Sequence, residues 1–315
     1  MSTIRRAGRA AAVLSLALGA SGFAVAPAAT VAAQPGPSAS VLCAPDEGSA
    51  ARRPPGATAQ HERNEVAQTD VAAIERDMKA RLGARKAQPR AAVTIPVVFH
   101  VVYASDGTGN VSDSAINAQI AEMNQDYAGQ EAPGVAANTQ FSFTLQAVRR
   151  WQNDSWFNDP DSAAGERALK TATHEGDSRT LNIWSTNTGF LGYATFPWWY
   201  AGDPELDGII IQWGSLPGGP IDNFNEGKTA SHESGHWLGL YHTFQGGCSK
   251  TNDEVADTPA QKTETSGCPA GKDTCRTAGL DPIHNYMDYS YDSCYNQFTP
   301  GQASRMQNAW SAYRA

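Results

Sequence analysis

Several features that would point to other protein classes are scarce or missing in this 315-residue sequence. Outside residues 1–33, no apolar run is long enough to span a membrane, which argues against a membrane protein. None of the five cysteines belongs to a CxxC pair, so a structural zinc site is disfavoured. Beyond residue 90, 12 Lys and Arg face 25 Asp and Glu, and this acidic balance argues against a nucleic-acid partner.

The first 33 residues have the pattern of a secretory signal. Three arginines precede the apolar run AAVLSLALGASGFAVA, which is followed by small residues suited to signal peptidase. The run is too short and too rich in Ala and Gly for a stable transmembrane span. We therefore expect a signal peptide over residues 1–33, cleaved after Ala28 or Ala33, and a secreted protein.

Residues 34–90 are expected to form a propeptide. Residues 34–60 are rich in Pro, Ala, Gly and Ser without periodicity, as in a linker or a poorly ordered propeptide. Residues 62–85 carry an apolar stripe at helical spacing, which predicts a helix. Basic residues beside Gly and Pro at 81–90 make an exposed, cleavable junction. Residues 91–315 remain for a single folded domain with one core, which we expect to be a monomer.

Strand patterns and one helix pattern occupy the first half of that domain. Runs of β-branched and aromatic residues predict strands, and Ser112 can cap a helix that should back the sheet. A capping box at Thr299 begins a terminal helix of about 14 residues. The predicted strands lie at 94–103, 141–148, 181–185, 193–196 and 208–213, and the first helix at 112–127.

The string HESGHWLGLYH at residues 232–242 has the spacing of a catalytic zinc site. His232 and His236 lie four apart on one face of a helix, and Gly239 permits the positive φ with which the chain turns to bring back His242. Three nitrogen donors leave an open position for water and substrate. Glu233 lies beside this site, where a carboxylate can take a proton from the attacking water and deliver it to the leaving amine. The pattern predicts a Zn²⁺ peptidase.

Four of the five cysteines fall in the last quarter of the chain, which becomes loop-rich after His242. In an exported protein they predict two disulfides, each worth roughly 3 kcal/mol in the chain-entropy model. Sequence alone allows three pairings. The four residues are Cys248, Cys268, Cys275 and Cys294.

A second string, HNYMDYS at residues 284–290, resembles the Met-turn of the metzincins, in which a methionine, here Met287, forms an apolar floor beneath the zinc. Within that clan the chain is similar to the pappalysin family, which includes ulilysin-like and cytophagalysin-like bacterial enzymes. The shared strings cover the predicted catalytic domain in order. They are HESGHWLGLYHTF, GGC, DEVADTP, the DP before the Met-turn and C-x-x-x-F-T-P-x-Q, with TIPVVFHVVY and GYATFP as less specific additions.

The resemblance implies an α/β (α+β) metzincin-type zincin. A twisted mixed sheet with backing helices would lie above the cleft, and an irregular, disulfide-linked lower subdomain would end in a helix. The implied disulfides are Cys248–Cys275 and Cys268–Cys294. Substrate would lie as an extended strand along the edge strand near residues 192–196.

The resemblance also implies roles for further side chains. Tyr289 would donate a hydrogen bond to the developing oxyanion, with a packed aromatic residue as the alternative. A Ca²⁺ site of the family type would fall in NDEVADTP, with hard oxygen ligands from Asp253, Asp257 and Thr258.

Three further features leave alternatives open. Cys43 of the presumed propeptide could occupy the open zinc position as a cysteine switch, could be replaced there by Asp46, or could be a free thiol. Some relatives bind a basic residue after the scissile bond through an acid beyond the Met-turn, and Asp292 is available, although Ser293 directly precedes Cys294. The aromatic cluster at 198–200 could line a subsite or pack in the core.

The sequence therefore favours a secreted zinc endopeptidase, made as a latent zymogen, that acts on proteins or peptides. One alternative is a secreted binding module that keeps zinc structurally on a protease fold without activity. The retained Glu233 speaks against it, because a structural site has no use for this residue. A zinc amidase acting on smaller amides is a third hypothesis, which would need a pocket in place of an open cleft.

Overall fold

The fold is built around a five-stranded sheet. The computed structural model describes residues 52–54, 64–84, 91–277 and 279–315, all within one unit that spans residues 45–315. The strand order is β2-β1-β3-β5-β4, with parallel neighbours except for the antiparallel edge strand β4. The strands are β1 Val93–Tyr103, β2 Phe141–Gln152, β3 Leu181–Thr186, β4 Gly192–Ala194 and β5 Ile209–Gln212.

Helices cover both faces of the sheet. One core cluster joins Phe99 of β1 and Ile211 of β5 to the helices α2 and α5. A second cluster, with Trp184 and Ile210, lies on the opposite face against α3 and α4. The helices are α1 Gln68–Ala84, α2 Asp113–Tyr127, α3 Asp154–Asn158, α4 Ala163–Thr173, α5 Lys228–Trp237 and α6 Pro300–Ala309, which continues as a π-helical turn through Trp310–Arg314.

All five predicted strands and the four predicted helices are present, with ends that shift by a few residues. The helices α3 and α4 were not predicted. Leu169 is the only large apolar residue of α4, so no stripe of large apolar side chains marks the segment. Its N terminus carries a recognisable signal, because the Ser162 side chain accepts a hydrogen bond from the backbone of Gly165.

The interior of β1 holds one polar side chain that resembles a metal ligand. His100 is fully buried, receives a hydrogen bond from the indole of Trp151 and contacts Asn182 at 2.9 Å. Burial lowers its pKa to about 4. His100 is thus a core residue whose polar atoms have partners.

The chain after α5 is largely irregular, which confirms the predicted lower part. Disulfides join Cys248 to Cys275 and Cys268 to Cys294, the pairing that the resemblance implies. The terminal helix is tied back to the sheet, because Arg314 pairs with buried Asp207 at 2.8 Å and its guanidinium lies 3.6 Å from the ring centre of Trp237. Among the described residues, no helix is long and apolar enough to cross a membrane.

Candidate active site

Two histidines project from α5 towards a common point. His232 and His236 lie one turn apart, and their Nε2 atoms are 3.2 Å from each other. The Nδ1 atoms donate to backbone carbonyls, His232 to Tyr286 at 2.5 Å and His236 to Leu240 at 2.8 Å. These bonds fix the ring orientations and leave both Nε2 atoms for a metal.

A glycine turn brings the third histidine to the same point. Gly239 has φ +96°, and its amide donates to the carbonyl of His236 just after α5 ends. A side chain there would clash, because an added Cβ would lie 2.7 Å from Cβ of Ala309. The turn places Nε2 of His242 2.9 Å from Nε2 of His236. The predicted role of Gly239 is therefore confirmed.

The three imidazoles fit a zinc ion. Zinc–nitrogen bonds of about 2.1 Å in a tetrahedron would set nitrogens roughly 3.4 Å apart, close to the separations observed. Burial, the positive charge of neighbouring histidines and the Arg52 charge lower the pKa of His232 and His242 well below the usual value. Burial alone lowers the pKa of His236 to about 4. All three rings are thus neutral at pH 7, which is the form that binds metal.

The edge strand passes directly beside Glu233. An added Cβ on Gly192 would lie 2.7 Å from Cγ and 2.8 Å from Oε1 of this glutamate. Glu233 is buried on α5 next to His232. A peptide paired with β4 would therefore run past both the carboxylate and the imidazoles. No pattern in the sequence marks Gly192 for this close approach.

Met287 packs against α5, the helix that carries His232 and His236. Its side chain is fully buried, and an added Cβ on Gly235 would lie 2.4 Å from its Sδ. Gly235 lies between these two histidines in the sequence, so the sulfur of Met287 lies against the part of the helix that carries them. The ring of Tyr289 lies 4.9 Å from the His242 ring and 5.8 Å from the His232 ring, centre to centre.

A buried polar network supports this arrangement from behind. Tyr286, whose carbonyl receives the His232 bond, donates its hydroxyl to Asp126 at 2.8 Å. Asp126 also accepts from Lys228 at 2.7 Å and from Ser231 at 2.5 Å. Burial raises the pKa of Asp126 to about 6, against the opposing effect of Lys228. The network joins α2, α5 and the loop that carries Tyr286 and Met287.

Comparison with known proteins agrees with the site. The M43 peptidase family model, described as pregnancy-associated plasma protein-A, matches residues 219–311. An extracellular metalloprotease of Pyricularia oryzae is 45% identical over 252 residues, which cover 78% of this chain and 83% of that protein. The chain belongs to the pappalysin family of metalloproteases. A second relative, an extracellular metalloprotease of Neurospora crassa, is 43% identical over 240 residues.

Two solved pappalysin-like structures from Tannerella forsythia confirm the fold. Mature mirolysin in complex with a cleaved peptide aligns with a TM-score of 0.60 and 32% identity over 69% of this chain and 91% of that chain. A promirolysin mutant aligns with a TM-score of 0.66 and 29% identity over 78% of this chain and 88% of that chain. The α/β metzincin-type fold and the assignment as a zinc metalloprotease follow.

In this pappalysin an arginine from the N-terminal segment fills a pocket at the cleft. Arg52 is buried, and its guanidinium lies 2.7 Å from Oδ1 of Asp292. The rings of Phe224 and Tyr295 each lie 5.1 Å from its central carbon. The Arg52 carbonyl accepts a hydrogen bond from the amide of Leu191, next to the edge strand. The segment therefore lies beside the edge strand, with its arginine side chain paired to Asp292.

The pocket lies against an acidic region of the cleft. Asp292 also accepts from the amide of Glu226 at 3.0 Å, and an open cavity of about 410 Å³ beside it is lined by Glu131, Glu226 and Asp292 around Lys228. Burial raises the pKa of Asp292, and the Arg52 charge opposes this effect. A basic side chain suits this pocket, because it keeps the buried carboxylate paired.

The NDEVADTP loop gathers oxygen atoms in its interior. Asn252 Oδ1 and Asp253 Oδ2 are buried and lack a hydrogen-bond partner among the described residues, and Thr258 is buried beside Asp253. Left-handed backbone at Asn252 and Glu254 turns the loop around them. Asp257 lies elsewhere, since it accepts hydrogen bonds from the side chain of Thr299 and the amide of Gly301 at the start of α6.

The other predicted residues differ in how the structure places them. Trp198 and Trp199 are half-buried and pack on Phe196 under the N-terminal helix α1. Residues 1–33, Cys43, Asp46 and the junction residues 85–90 lie outside the described part of the chain. Sequence reasoning missed Arg52, Gly192 and Gly235.

Proposed function

We propose that the protein is a secreted zinc-dependent endopeptidase, made as a latent precursor, that cuts peptide bonds preceding a basic residue in extracellular polypeptides. The observation that carries the proposal is the convergence of three neutral imidazoles beside Glu233 and a sheet edge. Secretion is supported by the relatives, which are named extracellular metalloproteases, and by the signal-like pattern of residues 1–33.

His232, His236 and His242 would hold zinc, and Met287 would form its apolar floor. The bound ion would polarise the scissile carbonyl and lower the pKa of an attacking water. Glu233 would take the proton of that water and pass it to the leaving amine. Tyr289, whose ring contacts two of the histidines, would donate its phenol hydrogen to the oxygen on which negative charge develops.

Substrate would bind in an extended form along β4. The amide of Leu191 already pairs with a carbonyl of the N-terminal segment, and the carbonyl of Ala194 accepts from the side chain of Asn64 at 3.1 Å. A substrate backbone would replace these contacts and add a strand to the sheet. The basic side chain after the scissile bond would then enter the Asp292 pocket in place of Arg52.

Latency would follow from the same contacts. Arg52 competes with substrate for Asp292, and it is covalently attached, so its local concentration is high. Promirolysin matches a larger share of this chain than mature mirolysin does, 78% against 69%, so the match includes more than a mature domain. We assign residues 34–90 as the propeptide and residues 91–315 as the catalytic domain. The alternative latency residue Cys43 lies outside the described residues.

A calcium ion would complete the NDEVADTP loop. The unpaired oxygens of Asn252 and Asp253 and the neighbouring Thr258 supply the hard donors that Ca²⁺ prefers. Burial raises the pKa of Asp253 to about 8, as expected of a carboxylate that lacks a cation. This ligand set keeps Asp253 and Thr258 from the sequence prediction and replaces Asp257 with Asn252.

Cleavage of a mixed peptide library tests the proposal. The processed protein and its Glu233→Ala variant would be incubated with the library in calcium and trace zinc, and the products would be sequenced. Cuts made only by the unaltered protein, with Arg or Lys after the cut bond, are expected. If both proteins bind zinc and neither cuts, a binding module on a protease fold is the better account. Cleavage restricted to very short amides would favour an amidase.

A further inference from the structure

The helix α1 covers an aromatic surface beside the cleft. Val66 and Val71 are buried against Phe196 and Tyr241 of the catalytic domain, with Trp198 and Trp199 at the edge. Further along, Met78 packs on Ala309 and Ala312 of the terminal helix. We call the set Phe196, Trp198, Trp199, Tyr241, Ala309, Ala312 and Tyr313 the helix-binding surface.

One ion pair fixes how α1 lies on this surface. Glu75 receives two hydrogen bonds from the guanidinium of Arg305, at 2.6 and 3.0 Å, and a third from the hydroxyl of Tyr241. The guanidinium lies over the Tyr241 ring at 4.5 Å and donates to the carbonyl of Gly239. The bond to Gly239 lies within the domain, so the position of Arg305 is not set by α1 alone. The surface thus presents a fixed cation between two apolar areas.

The surface lies next to the catalytic groups. The Phe196 ring is 5.2 Å from the ring of His236, and Phe196 follows the edge strand by two residues. The residues just before α1 lie against β4, since the side chain of Asn64 hydrogen-bonds to the carbonyl of Ala194. A polypeptide held on this surface by a helix therefore has its adjoining segment at the entrance of the cleft.

Cutting the junction at 85–90 changes the occupancy of this surface. While α1 is part of the chain, tethering keeps its effective concentration high, and this advantage of about 10²-fold or more is lost when the chain is cut. An isolated helix of 17 residues is only marginally stable in water. After maturation the helix should leave, and an aromatic surface with a fixed arginine becomes available to other ligands.

We propose that, in the mature enzyme, the helix-binding surface is an exosite for amphipathic helices of protein substrates. The preferred helix would carry apolar residues at i, i+3 and i+7 and an acid at i+4, which is the pattern of Val71, Ile74, Glu75 and Met78. The inference rests on the proposed peptidase function. It adds that substrates with such a helix next to an exposed loop are cut in preference to free peptides.

The test compares substrates that differ only in an attached helix. One peptide carries an arginine-containing cleavage segment, and a second carries the same segment joined to residues 64–84 through a flexible linker of about ten Gly and Ser residues. The enzyme is the processed protein, freed of its N-terminal fragment. Attachment of the helix should lower KM about tenfold with little change in kcat, and mass spectrometry assigns each cut to the segment.

Two matched helix variants provide the control. Met78→Asp places a charge in the apolar stripe, whereas Ala80→Asp places the same charge on the exposed face of α1. Met78→Asp should abolish the decrease in KM, and Ala80→Asp should preserve it. Equal KM values for all substrates would overturn the proposal.

Failure of the peptidase function would be visible separately. If the unfused peptide is not cut, the proposed function fails, while binding of a fluorescent 64–84 peptide to the processed protein still tests the surface. Anisotropy should report binding of the unaltered peptide and of Ala80→Asp but not of Met78→Asp. Equal binding of all three peptides would refute the claim that the helix-binding surface recognises the apolar stripe.

Discussion

Replacement of Asp292 by asparagine should remove the preference for a basic residue. The carboxylate faces the guanidinium of Arg52 at 2.7 Å, and both side chains are at most 4% exposed. The variant keeps the shape of the side chain and an oxygen that can accept from the Glu226 amide. What it loses is the negative charge that pairs with a basic substrate side chain.

The size of the effect follows from burial. Removing one partner of a buried ion pair costs about 3–5 kcal/mol, because the other charge stays buried without compensation. At about 1.36 kcal/mol per factor of ten, this corresponds to a loss of roughly 10²- to 10⁴-fold in kcat/KM for an arginine substrate. A substrate with alanine at the same position should change by less than about threefold, because its side chain does not depend on the charge.

The assay is competitive cleavage of two peptides that differ only in the residue after the scissile bond. Glu226→Gln is the matched control, because it removes a charge from the same cleft without touching the ion pair. The ratio of arginine to alanine cleavage should collapse in Asp292→Asn and persist in Glu226→Gln. An unchanged ratio in Asp292→Asn, or an equal loss in both variants, would refute the assignment of the pocket.

Three further predictions concern the floor of the site, the calcium loop and latency. Gly235→Ala would drive a methyl group into Sδ of Met287, 2.4 Å away, and should weaken zinc binding at least tenfold in a chelator competition; unchanged affinity would contradict the Met-turn packing. The pKa of Asp253 is raised to about 8, so without calcium the folded protein binds a proton more tightly than the unfolded chain and loses stability as the pH rises from about 4 to 8. Calcium should therefore raise Tm more at pH 8 than at pH 5 in thermal melts, and an equal gain at both pH values would argue against Asp253 as a ligand. Arg52→Ala should let the uncut full-length chain cleave a short fluorogenic peptide. The uncut Arg53→Ala variant should cleave the same peptide more slowly than Arg52→Ala does. Full latency of Arg52→Ala would show that another residue blocks the cleft.

Local patterns predicted the parts of the site that depend on local geometry. Helical spacing alone places His232 and His236 on one face, and glycine chemistry explains the turn that brings in His242. The strands β1 and β5 were recognisable because they are largely buried on both faces and therefore carry β-branched runs. These features could be predicted without knowing which distant segments pack beside them.

The missed residues act through contacts between distant segments. Arg52 and Asp292 are 240 positions apart, and no periodicity links an arginine in a proline-rich stretch to a loop after the Met-turn. Gly192 and Gly235 matter because other side chains approach them closely, which a single sequence does not reveal. One signal was available for Gly235, since a glycine inside a helix is costly and often marks a close approach.

The most direct test of the central account is the position of the cut in a single defined peptide. A decapeptide with one arginine would be incubated with the processed protein and with Glu233→Gln, both loaded with the same measured amount of zinc. The account predicts one cut, on the amino side of the arginine, made by the unaltered protein and slowed by several orders of magnitude in the variant. Equal cleavage by both proteins, or no cleavage by the zinc-loaded unaltered protein, would contradict it.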